Sequence, residues 1–174
     1  MTRQQQTRAR VLDWVQHESG FAQLVTVNCD GFPVGRSIGA PVNDDWSVDL
    51  VQRGVHRRVP QLRRNPHVEM IWLGTPSPGS CNDNPAVFDY GWLVPRAVFL
   101  RATAEIMPTD WTVARYREQI AVLQRRGVGT KAPLRSPEHA ADDLVGVRLH
   151  PVRVRAEGFG EGAENVTWNV EENP

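Results

Sequence analysis

The sequence predicts a mainly β protein, a small six-stranded antiparallel barrel with helices on its periphery. Three observations lead there. Extended runs rich in Val, Leu, Ile and Thr outnumber helical ones, in the order α-β-β-β-α-β-β-α-β. Short polar turns such as Cys29-Asp30-Gly31 and Asn43-Asp44-Asp45 join successive runs, which favours antiparallel neighbours. A chain of 174 residues with 40% hydrophobic side chains suits one domain, 1–174, with a core of its own.

Each element follows from its local pattern. Arg8, Val11, Leu12 and Val15 share a helical face and the pattern stops at Ser19-Gly20, so residues 1–20 read as an N-terminal helix over 4–18 with Gly20 supplying a left-handed C-terminal turn. Ala22 to Asn28 and Phe32 to Val42 form a hairpin about Cys29-Asp30-Gly31. Trp46, Val48 and Leu50 alternate with Ser47, Asp49 and Val51, the period of a half-buried third strand over Trp46 to Gln52. Arg53 to Asn65 is a short basic helix with Pro60 in its early turns, and His67 to Leu73 is a fourth strand. Residues 74–95 hold four prolines and three glycines, the composition of an inserted loop. Arg96 to Ile106 is a fifth strand. Pro108-Thr109 opens a capped helix in which Val113, Tyr116, Ile120 and Leu123 make the buried stripe, and Gly127 closes it. A polar connector, 128–143, leads into a sixth strand over Leu144 to Phe159 with a bend near Pro151. Residues 161–174 read as a C-terminal tail.

Twenty basic side chains balance twenty acidic ones, which removes the bulk attraction that nucleic-acid binders and membrane-surface proteins draw from excess positive charge. Met1 to Arg10 is polar and basic, and no window approaches the roughly 20 apolar residues of a bilayer span. The expectation is a cytoplasmic protein that binds a small molecule or a protein partner, with no nucleic-acid or membrane partner. Cys29 and Cys81 form no CxxC pair, and His17, His56, His67, His139 and His150 lack metal-ligand spacing, so reduced thiols and no metal are expected. Lys131 is the only lysine beside nineteen arginines, which high-GC codon usage explains as well as function does.

The densest charge feature is Arg53, His56, Arg57, Arg58, Arg63 and Arg64, around a short helix that directly follows a strand. Guanidinium groups offer planar paired donors to phosphate oxygens, so this segment is a candidate anion site; a solvated basic helix face is the plainer reading. The order of residues adds to it. Val51-Gln52-Arg53-Gly54-Val55-His56-Arg57-Arg58, followed by Leu62 and Asn65-Pro66, resembles the strand, Ser-Arg-Lys, leucine and Asn-Pro pattern of the pyridoxamine 5′-phosphate oxidase-like, FMN-binding split-barrel superfamily. Asp30-Gly31-Phe32-Pro33-Val34-Gly35-Arg36 resembles its turn, Gly-x-Pro and arginine. Arg96 to Glu105 resembles its Arg-Gln-Val strand. The three together span roughly residues 22–107.

The resemblance implies a six-stranded split β-barrel forming a homodimer, with FMN at the subunit interface. It implies that Arg36, with Ser37 beside it, meets the FMN phosphate, that Val51 and Gln52 face the isoalloxazine, and that Arg57 and Arg58 clamp phosphate and ribityl. Gln61 is a further candidate, and Trp168 one for stacking on the partner's flavin. Tyr90 and Trp92 lie on the inserted loop, where rings could cover a flavin. His56 stands where the pattern has serine, Arg58 where it has lysine and Ala97 where a strand glutamine reaches the flavin. Glu164 to Pro174 contains no arginine, so the substrate grip of a true pyridoxamine phosphate oxidase is missing. Gly158-Phe159-Gly160-Glu161-Gly162 has too little chain after it for a dinucleotide unit, and Asn165-Val166-Thr167 is an inert sequon.

The resulting expectation is an FMN-dependent oxidoreductase moving a hydride between a nicotinamide or other donor and a small organic acceptor, with no side chain identifiable as catalytic. Two alternatives stand beside it: a reductase using 8-hydroxy-5-deazaflavin, whose longer anionic tail would use Arg53, Arg57, Arg63 and Arg64, and a carrier dimer without turnover.

Overall fold

The computed structural model describes residues 1–74, 96–127, 134–160 and 164–170; nearly all of the expected 74–95 loop, with Cys81, Tyr90 and Trp92, lies outside them. Helix α1 (Arg3–His17) starts at a capping box, in which the Thr2 hydroxyl accepts from the Gln5 N–H at 3.2 Å and the Gln5 side chain accepts from the Thr2 N–H at 2.7 Å. It buries Val11, Trp14 and Val15. The left-handed turn expected at Gly20 is not there: positive φ among the described glycines belongs to Gly31, Gly127 and Gly158. The Ser19 N–H and hydroxyl close the last turn on the Trp14 and Val15 carbonyls, at 2.9 and 2.6 Å.

Strands β1 (Ala22–Val27) and β2 (Pro33–Ile38) form the expected hairpin. Gly31 turns it at φ 83°, and Asn28 Oδ1 accepts from the Asp30 and Phe32 N–H groups at 3.0 and 2.8 Å. Strand β3 (Val48–Arg53) is followed by helix α2 (Arg58–Arg64), then β4 (His67–Leu73) and β5 (Ala97–Ile106). Helix α3 (Thr109–Arg125) precedes α4 (Pro137–Asp143), β6 (Leu144–Glu157) and β7 (Val166–Asn169). The ladder runs β2-β1-β4-β5-β6-β3, and every pairing is antiparallel. Leu24, Met70, Trp72, Val98, Leu100, Leu149 and Val154 fill its core.

The six expected strands make up that path, and the tail adds a seventh. β6 is fourteen residues long; β3 covers one of its edges only from Leu144 to Leu149, leaving Arg153 to Ala156 open, and β7 pairs there. Val166 and Trp168 alternate with Thr167 and Asn169, so Trp168 faces inward opposite Val154. The bend expected near Pro151 is a β-bulge: Arg101 pairs with Arg153 and Ala102 with Pro151, leaving Val152 extra.

The connector 128–143 ends in a helix rather than in coil. Ser136 caps α4 by accepting from the His139 N–H at 3.3 Å, and Pro137 occupies its first position. Helix α3 lacks the expected side-chain cap, since Pro108 is its N-cap. Its stripe Val113, Tyr116, Ile120 and Leu123 is half-buried, and Thr112 is its one fully buried residue. Thr112 Oγ1 accepts from the Gly146 N–H at 3.0 Å, and a Cβ at Gly146 would lie 2.5 Å from that oxygen and 2.8 Å from the Trp111 ring, so glycine is what admits α3 to the face of β6. No helix among the described residues is long and apolar enough to cross a membrane.

Candidate functional site

β3 ends the ladder, so beyond its opening bridge to Val42 one of its edges carries backbone groups without a strand partner. Val51 and Gln52 lie on this strand, Val51 half-buried and Gln52 at 4% exposure. The chain leaves β3 through Gly54 and Val55, and the His56 N–H donates back to the Arg53 carbonyl at 3.1 Å. This turn delivers Arg58 onto the strand, where its Nε donates to Gln52 Oε1 and its Nη2 lies 3.3 Å from His56 Nδ1. Arg36 approaches from β2, at the opposite end of the ladder, and its charge bears on both Arg58 and His56.

Gln52, His56 and Arg58, from one strand end and the turn after it, therefore cluster together, and the charge of Arg36 bears on them from a second segment, β2. The half-buried Arg58 guanidinium is held below the usual arginine range, by burial first and then by the Arg36 charge. His56 is likewise held below its ordinary value, by desolvation and then by Arg58, Arg53 and Arg36, with Asp143 opposing. Two buried donors of these residues, Gln52 Nε2 and Arg36 Nε, have no hydrogen-bond partner. A cluster of repelling cations with orphaned donors is chemically matched to an anion and to carbonyl-like acceptors.

The remaining candidates lie variously. Arg57 is exposed next to the cluster. Gln61 Oε1 accepts from the Thr26 hydroxyl at 2.8 Å, pinning α2 to β1. Ser37, as the next residue on the strand, points its side chain to the face of β2 opposite Arg36 and accepts from Gln23 Nε2 at 2.6 Å. Arg53 is engaged by Asp143, and Arg63 and Arg64 occupy the last turn of α2, away from Arg58. Trp168 is in the chain's own core at 7% exposure, with its ring edge-on to Trp46 at 5.8 Å and the Arg8 guanidinium 5.4 Å from its centroid. Trp46 and Ser47 precede β3 while Gln52 is near its end, a separation of roughly 17 Å from Ser47 at 3.3 Å per residue. Trp168 borders a cleft of about 650 Å³ there, with Arg8, Asp45, Arg148 and His150.

Sequence reasoning missed a second polar group on β3. Asp49, read as an outward strand residue, is 3% exposed because α3 covers that face. It pairs with Arg115 Nη2 at 2.7 Å and Arg148 Nε at 3.4 Å, and accepts from Asn43 Nδ2 at 3.2 Å. Asp143 was missed too; it binds both Arg53 and Arg135. No sequence signal marks either: Arg115 and Arg148 are distant in the chain from Asp49, as Arg53 is from Asp143, and Arg135, eight residues before Asp143, meets it across α4. Among the described residues, no group of three His, Cys, Asp or Glu side chains could hold a metal ion.

No protein-family model matches the chain, and no curated protein is significantly similar to it. Solved structures are similar in fold. A conserved hypothetical protein from Mycobacterium tuberculosis is 20% identical at a TM-score of 0.57, over 90% of this chain and 84% of that one. An F420 reductase is 17% identical at a TM-score of 0.53, over 82% and 94%. A putative pyridoxamine 5′-phosphate oxidase from Listeria innocua is 17% identical at a TM-score of 0.55, over 88% and 97%. These likenesses show the expected fold, an antiparallel split β-barrel.

Proposed function

We propose that the chain is a flavin-dependent oxidoreductase that binds FMN at the Arg36, Gln52, His56 and Arg58 cluster and moves a hydride between a nicotinamide or other donor and a small organic acceptor. The observation that carries this is the pair of buried, unpartnered donors, Arg36 Nε and Gln52 Nε2, beside cations that repel one another. Arg36 and Arg58 would take the phosphate, with Arg57 at its solvent side. Gln52 and the free backbone edge at Val51 would face the polar rim of the ring. FMN supplies the hydride chemistry when bound, and this chain's residues bind, orient and exclude water. Glu164 to Pro174 lacks arginine, which keeps pyridoxamine phosphate off the list of substrates proposed.

The proposal includes a homodimer. Val25, Ile71, Leu73 and Phe99 alternate with core residues on β1, β4 and β5, so they share the outer face of the sheet; Ile71 pairs directly with Phe99, and Leu73 is 61% exposed. An apolar sheet face of this kind is suited to a second copy. Ile71→Arg should yield monomers by light scattering, and a monomeric parent would remove this part of the proposal.

A deazaflavin is the second reading, favoured by the likeness to an F420 reductase, since F420 is an 8-hydroxy-5-deazaflavin. Against it, Arg53 is neutralised by Asp143 and the α2 arginines are split between its two ends. Denaturing the purified protein and identifying the released cofactor by absorbance and mass decides between them. Released FMN, bleached in the native protein by NADH or NADPH, is the expected result. Bound FMN that no nicotinamide reduces would leave the carrier reading, and no rise in melting temperature on adding FMN would overturn the FMN assignment.

A further inference from the structure

Asp143 stands where α4 ends and β6 begins. Both its carboxylate oxygens accept from Arg53 Nε, at 3.1 and 3.2 Å, and Oδ2 also meets Arg135 through Nε at 2.8 Å and Nη2 at 2.7 Å. Its main-chain carbonyl accepts from the Gly54 N–H at 2.8 Å. From these fixed points the chain continues by two short steps, the His56 N–H to the Arg53 carbonyl at 3.1 Å and the Val59 N–H to the His56 carbonyl at 2.9 Å, with Arg58 between them. Arg135 in turn anchors the group to α3, donating its N–H to the Tyr116 hydroxyl at 3.0 Å.

We propose that Asp143 is a positioning residue for the phosphate end of the site, holding the β3–α2 turn so that His56 and Arg58 converge on Arg36. This rests on the cofactor reading above. Asp143 makes its contacts to Arg53, Gly54 and Arg135, not to the orphaned donors, so it acts through the turn. Its electric field alone works the other way, because a carboxylate near cations weakens their hold on an anion. Placement and field therefore predict opposite signs for one substitution.

The test is Asp143→Asn in the full chain, titrated with FMN and with riboflavin, which lacks the phosphate. Positioning predicts FMN binding about tenfold weaker, with riboflavin changed less than about twofold, and recovery in Asp143→Glu. FMN affinity unchanged or tightened in Asp143→Asn overturns the proposal, as does an equal loss for both flavins, which marks a merely structural role. Should Asp143→Asn fail to fold, Arg135→Ala removes one anchor and leaves Arg53 paired; a selective loss of FMN affinity, about threefold, is expected there, and none overturns the proposal. A second readout does not depend on flavin: the titration of His56 by NMR. A loosened turn disperses Arg36 and Arg58 and moves the His56 pKa up in Asp143→Asn, whereas loss of the field alone moves it down. If the parent protein binds no flavin and His56 still moves up, the cofactor reading fails and the role of Asp143 stands; a downward move overturns the role.

Discussion

One strand carries two arginine clusters that are solved in opposite ways. At the start of β3, Arg115 and Arg148 close on the buried Asp49, and Asn43 and Ser47 take up further hydrogen bonds. At its end, Arg58 lies against Gln52 and His56 under the charge of Arg36, with no ion pair to either arginine among the described residues. Charge is satisfied internally where α3 must dock, and left unsatisfied where the sheet's two ends approach. The fold can neutralise buried arginine when it has reason to. Buried atoms without a hydrogen-bond partner occur at both, Asp49 Oδ1 and Arg115 Nε at the first and Gln52 Nε2 and Arg36 Nε at the second, so the difference that supports the proposed FMN site is the missing carboxylate at the second.

The contrast can be broken most forcefully at Asp49. Asp49→Ala strands two cations under α3 and should lower unfolding free energy by about 3 kcal/mol, read by urea denaturation. A loss under 1 kcal/mol would show that the first cluster is no more structural than the second. Arg58→Met should do the reverse, leaving ligand-free stability unchanged or slightly raised because it relieves repulsion with Arg36, while weakening FMN binding roughly a hundredfold. A strongly destabilised Arg58→Met would make the second cluster part of the fold's own framework.

Smaller effects sharpen the comparison. Inorganic phosphate at ten times its dissociation constant should stabilise the parent protein by about 1.4 kcal/mol and Arg58→Met far less. Equal stabilisation of both would place phosphate elsewhere. The smallest effect is in pH. The folded pKa of His56 lies below the ordinary histidine value of 6.5, so between the two values the unfolded chain holds more protons than the folded one. Ligand-free stability should fall as pH drops from 6.5 through the folded pKa and then level off, and His56→Asn should flatten that segment. A slope that survives the substitution would belong to another group.

Much of the framework could be read from the sequence because it depends on neighbours in the chain. The hairpin at Gly31, the strand His67–Leu73, the break at Pro151 and the closure of α3 at Gly127 are local signals, and each appears in the structure. What could not be read depends on distant partners. Ser47 and Asp49 alternate like exposed strand residues and are buried, Asp49 because α3 lies over it and Ser47 among Asn43, Asp45 and Arg148. The segment after Phe159 is short and polar, so only the open edge of β6 makes it a strand. The Ser136-Pro137 cap of α4 was local and was passed over inside a polar stretch. At the site, the cationic segment 53–64 was visible, but that Asp143 removes Arg53 from it and that Arg36 reaches Arg58 across the ends of the ladder are facts of closure.

The bulge at Val152 has a consequence for how this chain can vary. β6 serves two partners along one edge, β3 before Pro151 and β7 after it, and the extra residue is the spacer between the two registers. Deleting Val152 would set Pro151 and Arg153 side by side opposite Ala102 and Arg101, which is plain strand alternation, so Val154 and Ala156 would keep their inward face and Arg153 and Arg155 their outward one. The position therefore tolerates exchange of one residue type for another, since Val152 is half exposed. Loss of one codon there is a change in length that β6 absorbs without reversing a face, and what a descendant of this sequence would give up is the local bend and twist of the bulge.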